Sequence, residues 1–125
     1  MKYFLLFISA SISILTGCNN GSSSAKADQP ADVAAKAKQI FMVSCSQCHK
    51  PDEDMIGPAL KGAKERWKDK DLLYAYVRNP QEVISRDAYA KALFEKWKFY
   101  PMQPFPNLSN EEIDAILAYC NGESK

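Results

Sequence analysis

The sequence predicts an all-α domain. Apolar residues recur at helical spacing after residue 30, and the clearest of these stretches has both a start and a stop signal. No segment alternates apolar and polar residues as a half-buried strand does. The expected architecture is about four short helices joined by long loops. The chain's 125 residues suffice for one small domain. With 16 basic against 15 acidic side chains and no basic block, the chain lacks the electrostatic footprint of a nucleic-acid binder. A domain of this size buries a modest core, so enclosing a large apolar group would matter to its stability.

Residues 1–17 stand apart from that domain. Lys2 gives a positive start, and Tyr3 to Leu15 form an apolar run. About 13 apolar residues are too few to cross a bilayer, which takes roughly 20, but suit the apolar region of a signal peptide. The run ends in Leu15-Thr16-Gly17-Cys18, which resembles the lipobox of bacterial lipoproteins. That resemblance implies acylation of Cys18 as the mature N-terminus, with more than one acyl chain, as stable anchoring requires. A plain secretory signal with an incidental cysteine is the alternative, and either route delivers the domain to an oxidising compartment. Residues 18–31 are small and polar and read as a tether, with a reach of roughly 20 Å. The folded domain is expected over 32–125.

The elements follow in chain order. Val33, Ala37, Ile40 and Phe41 share a helical face among good helix formers, and this first helix runs into FMVSCSQCHK at 41–50. Residues 50–66 are rich in Pro and Gly and read as a loop. Asp69 can cap a helix over DLLYAYVR, and Asn79-Pro80 opens a further short turn. In 87–98, Tyr89, Leu93 and Trp97 recur every fourth residue as a narrow stripe. Residues 99–108 read as a second loop. The last helix is the best specified: Ser109 and Glu112 form a capping box, Leu108 can staple against Ile113, and Gly122 supplies the stop. Ile113, Ile116, Leu117 and Cys120 share its apolar face.

Cys45, Cys48 and His49 form a C-x-x-C-H string, which three chemistries use. A structural zinc site wants four ligands, usually in two pairs. Here His49 is the one histidine, and Cys120 is alone beyond the string. A redox dithiol opens a helix after a strand, whereas this string follows a helix and no strand is predicted. Covalent haem attachment fits best. Each thiol can add to one vinyl group, and His49 then lies beneath the iron as an axial ligand. A methionine sulfur can take the opposite side. Met42 is one turn before Cys45 and Met55 belongs to the loop after His49, which leaves Met102, in the Pro-rich stretch YPMQPFPNLS. The ordinary role of such a methionine is gap filling.

These residues resemble the small single-haem class I cytochromes c over about 33–122. The matched pieces come in order: Phe41 before the C-x-x-C-H string, Gly57-Pro58-Ala59-Leu60, Met102 followed by Pro104-Phe105, and the last helix. The resemblance implies an all-α fold around one covalently bound haem c and its iron. The first and last helices should cross with Phe41 against Tyr119, and the Pro58 carbonyl should accept from His49 Nδ1, raising ligand basicity. Ala37 stands where the family often has glycine, so the crossing should be wider or shifted. The 81–101 segment is longer than in the smallest members and can cover a haem edge or face a partner, with core packing its ordinary role. Trp67 can reach a haem propionate or simply pack. Cys120 reads as a buried inert thiol rather than a bridging one.

The function so implied is one-electron transfer, with no substrate at the iron and no enzymatic activity. The carrier would be lipid-anchored on the periplasmic side through Cys18, meeting redox proteins or a membrane respiratory complex. The alternatives are a fixed haem subunit of such a complex, or a haem sensor or enzyme if Met102 is labile. Against the latter, a chain with His49 as its one histidine lacks an evident distal acid/base group.

Overall fold

The computed structural model describes residues 30–123, and among them every regular element is helical. The expected signal segment, Cys18 and the tether as far as residue 29 lie outside the described residues. Helix α1 spans Pro30–Ile40, α2 Ala63–Arg66, α3 Lys70–Arg78, α4 Pro80–Ile84, α5 Ala88–Lys96 and α6 Asn110–Asn121. Among the described residues, no helix is long and apolar enough to cross a membrane.

The local chemistry explains where these helices start and stop. Asp69 caps α3 by accepting from Asp71 N–H, and the next break falls at Asn79, ahead of Pro80 at the start of α4. In α6 both arms of the capping box form: Ser109 Oγ accepts from Glu112 N–H at 3.1 Å, and Glu112 accepts from Ser109 N–H at 3.0 Å. Gly122 ends α6 at φ 76°, a left-handed conformation that side chains resist.

Two features depart from the expected loops and helices. The 50–66 stretch contains α2, a single turn too short to leave an apolar period. Residues Phe41–Cys45 widen into a π-turn, with Ser46 N–H reaching Phe41 C=O at 2.8 Å. Such turns are rare and concentrate at functional sites. Here the extra residue lets Phe41 turn into the core while Cys45, four residues on, lines the cavity described below.

Helices α1 and α6 form the main crossing. Ala37, Phe41, Ile116 and Cys120 are buried there, and the Phe41 and Tyr119 rings meet at 5.4 Å with their planes tilted by 51°. The Ala37 methyl is taken up inside the crossing at 1 % exposure. Lys36 Nζ reaches Glu112 at 2.9 Å across the two helices, a partly exposed pair worth about 1 kcal/mol or less. The second half of the core gathers Trp67, Leu73, Tyr74 and Val83 against Ile113 and Leu117 of α6. Tyr74 donates to Asp114 Oδ2 at 2.9 Å while Lys64 pairs with Oδ1 at 2.8 Å, so α2 and α3 are tied to α6.

Asp87 is the one buried charged residue of the described core. It caps α5, accepting from Ala90 N–H at 3.0 Å, and pairs with Lys68 at 3.0 Å. The Ala90 N–H, then the Lys68 ammonium, hold its carboxyl below the usual carboxylate range. A depressed folded pKa stabilises above the unfolded value and ceases to as pH falls through the folded one. Asp87→Asn keeps a capping oxygen and loses the charge. Its destabilisation relative to the parent should be clear at pH 6 and shrink below about pH 4, as denaturant titrations at both pH values will read.

Candidate functional site

A mostly apolar cavity of about 640 Å³ lies between α6 and the loops that follow α1 and α5. That is within the usual range of sites for cofactors. Cys45, Cys48, His49 and Met102 all line it. Met42 and Met55 do not; they are 54 % and 39 % exposed elsewhere. The three sequence-predicted donors that follow α1 and the one from the distant loop are therefore brought to a single space.

The proximal side is built by the turn after α1. His49 N–H returns to Cys45 C=O at 2.9 Å, which closes the C-x-x-C-H string into one compact turn. Cys45 is partly buried, and burial, with Cys48 adding to it, pushes its thiol up to about 11. The thiol is thus protonated at neutral pH. Cys45, Cys48 and Cys120 are all free thiols; Cys120 is buried, and burial raises it to about 12. The inert reading of Cys120 follows from that environment. Among the described residues, no group of three or more His, Cys, Asp or Glu side chains is arranged to hold a metal ion.

His49 is oriented by its neighbours. Nδ1 lies 2.7 Å from Pro58 C=O, as expected. A carbonyl only accepts, so Nδ1 carries the proton and Nε2 keeps its lone pair. Burial lowers the ring below the ordinary imidazole range, partly offset by the Pro58 bond, so the ring is neutral. Gly57 explains how the loop approaches so closely: a Cβ there would lie 2.6 Å from His49 Cε1. The Gly57-Pro58 pair is more than a simple turn.

Another part of the wall comes from the 97–108 loop. Phe105 N–H bonds to Val77 C=O at 3.1 Å, and Arg78 Nε to Leu108 C=O at 2.7 Å, so α3 fixes the loop beyond Met102. Met102 itself is half-buried. Trp67 is 5.1 Å from the Tyr76 ring and 5.0 Å from Tyr89, and all three line the cavity. Tyr89 and Leu93 of α5 and Trp97 at its end, the expected stripe, also form its wall, and Tyr89 and Leu93 pack on the core as well. Tyr76 and Phe94 were not singled out by the sequence, because a cavity wall and a packed core use the same apolar stripe.

This donor set fits a haem. Two free thiols, a neutral imidazole with a bare Nε2, a methionine and a large apolar space converge, and the loop is shaved to glycine where the imidazole stands. Comparison with known proteins agrees. The sequence model of the cytochrome c family matches residues 34–122. No curated protein matches the chain. Among solved structures, cytochrome c from Rhodothermus marinus is 31 % identical, with a TM-score of 0.59 over 75 % of this chain and 78 % of that one. An engineered form of that protein aligns with a TM-score of 0.58, and the form bound to a carbene intermediate with 0.57; both are 31 % identical over 75 % of this chain and 79 % of theirs. Fold, cavity and family match converge on one conclusion: the chain belongs to the cytochrome c family, as a class I single-haem member whose cofactor is covalently bound haem c with its iron.

Proposed function

We propose that the protein is a one-electron carrier in which Cys45 and Cys48 hold the haem through thioethers and His49 and Met102 are the axial ligands. The observation that carries this reading is the convergence of Cys45, Cys48, His49 and Met102 on one apolar cavity. When bound, the haem supplies reversible one-electron exchange at its iron. Attachment would consume each S–H across a vinyl double bond, the sulfur going to one carbon and the hydrogen to the other. The chain's own work is to hold the ligands and keep water out. His49 is aligned by Pro58, and the loop of Met102 is tied to α3. With His49 and Met102 holding the iron, the thioether would favour the reduced metal and a relatively high potential.

The setting belongs to the same proposal. Residues 1–17 direct export, Cys18 carries the lipid, residues 18–31 tether the domain 32–125 on the periplasmic side, and the carrier serves a respiratory chain. Small contact areas suit transient redox encounters by a tethered domain. Labelled fatty acid should enter the parent and not Cys18→Ser. Copurification with a membrane complex after gentle solubilisation would favour the fixed-subunit reading over the mobile carrier.

Met102→Ala tests the ligand set. The parent, matured with haem, should show a low-spin spectrum with the weak far-red band of methionine-ligated ferric haem and should not bind carbon monoxide when reduced. The variant should lose that band and bind carbon monoxide readily. If the parent itself takes up carbon monoxide, the sensor or enzyme reading prevails. A specific observation keeps that reading in view: Phe99 and Tyr100, just before Met102, are 82 % and 61 % exposed. The engineered Rhodothermus marinus protein, similarly folded, is described with a bound carbene.

A further inference from the structure

The peptide that joins Pro58 to Ala59 is hydrogen-bonded at both ends. Its carbonyl oxygen accepts from His49 Nδ1 at 2.7 Å, and its N–H donates to Asp54 Oδ1 at 2.9 Å. The other carboxylate oxygen, Oδ2, lies 2.9 Å from Lys96 Nζ on α5. A peptide is a resonance-coupled unit, so hydrogen bonding at its nitrogen is felt at its oxygen. Donation from N–H to an anion moves electron density onto the carbonyl, and linked hydrogen bonds polarise one another.

We propose that Asp54 is a positioning residue that tunes His49 through this single amide. The carboxylate makes the Pro58 oxygen a stronger acceptor, which draws the Nδ1 proton toward it and makes Nε2 a stronger electron donor. Lys96, by neutralising part of the charge, moderates the effect. A more basic imidazole stabilises the ferric state, so Asp54 holds the potential down and Lys96 holds it up. The inference rests on the reading of His49 as the proximal ligand.

Loop closure alone does not require a charge here. The same loop is already pinned by Leu60 N–H to Lys50 C=O at 3.0 Å and by Lys61 N–H to Pro51 C=O at 2.7 Å. Arg66 holds it again, donating to Ala59 C=O at 2.5 Å and to Lys61 C=O at 2.7 Å. An uncharged oxygen at residue 54 would still cap Ala59 N–H. What a carboxylate adds is charge at the far end of the amide that grips the imidazole.

The experiment uses the haem-loaded parent, Asp54→Asn and Lys96→Met, with potentiometric titration at low and high salt and proton NMR of the reduced proteins. Asp54→Asn should shift the ferric/ferrous ratio three- to tenfold toward ferrous at a fixed ambient potential, roughly 30–60 mV upward for a one-electron couple. Lys96→Met should shift it the other way by a smaller factor. The His49 Nδ1–H resonance should move upfield in the first variant and downfield in the second. High salt, which screens a purely through-space effect, should leave most of the shift in place.

An unchanged Nδ1–H resonance, or potentials moving in the same direction in both variants, overturns the relay. Should Asp54→Asn fail to mature with haem, Lys96→Met decides alone: a lower potential with a downfield Nδ1–H supports the proposal, and no change overturns it. Failure of the ligation reading looks different, because the parent would then lack a low-spin histidine-ligated spectrum before any variant is made.

Discussion

Gly57→Ala is expected to yield little protein with a low-spin, histidine-ligated spectrum, and what matures should be less stable than the parent by about 2–6 kcal/mol. The new Cβ would stand 2.6 Å from His49 Cε1, 3.0 Å from Nδ1 and 3.1 Å from Nε2, well inside the roughly 3.5–4.0 Å at which carbon atoms rest. The ring cannot retreat without losing its partner, because Nδ1 is held by Pro58 C=O at 2.7 Å and Pro58 follows Gly57 directly. Moving the loop away therefore moves the acceptor as well. Overpacking costs about 1–3 kcal/mol and a stranded buried hydrogen-bonding group about 1–3 more. The requirement is for space, not conformation, since Gly62 and Gly122 are the described glycines with positive φ. Denaturant unfolding and the visible spectrum of purified protein check it. A parent-like spectrum and midpoint would mean that the loop yields without disturbing His49.

Much of this site was legible because its parts are contiguous in sequence or few in kind. Cys45, Cys48 and His49 lie in one string, and Met102 followed from having few methionines to choose among. Helix α6 was legible because Ser109, Glu112 and Gly122 act on the backbone within a turn of themselves. The bond from His49 to Pro58 came from the resemblance alone, since nine residues of loop separate donor from acceptor. What could not be read depends on orientation. The π-turn at Phe41–Cys45 differs from an α-turn by one residue in hydrogen-bond spacing, which leaves no mark in composition. Asp54 and Lys96 are 42 residues apart, and their link to His49 exists only because one peptide plane turns its carbonyl inward and its N–H outward. No pattern of residue types encodes that.

The second large effect is expected at the helix crossing, where Phe41→Ala should lower the unfolding free energy by about 3–5 kcal/mol. Phe41 is 4 % exposed and packs among Ala37, Ile116 and Cys120, with its ring 5.4 Å from that of Tyr119. Truncation leaves a cavity between two helices whose backbones are already fixed by the α6 capping box and by the π-turn, so collapse is restricted. For a small domain with about 5–15 kcal/mol in total, that is a large share. The consequence should reach the site as well, because Phe41 begins the π-turn that delivers Cys45 to the cavity. Phe41→Leu, which keeps most of the volume, should cost under about 1.5 kcal/mol. Tyr119→Ala should cost less than Phe41→Ala, because that residue is half-buried. A double-mutant cycle between Phe41 and Tyr119 should return a coupling of about 0.5–1.5 kcal/mol from the ring contact itself. Urea unfolding of the haem-loaded parent, the three single variants and the double variant measures all of these. A loss below about 1 kcal/mol for Phe41→Ala would mean that the covalent cofactor, rather than the α1–α6 crossing, holds the two ends of the domain together.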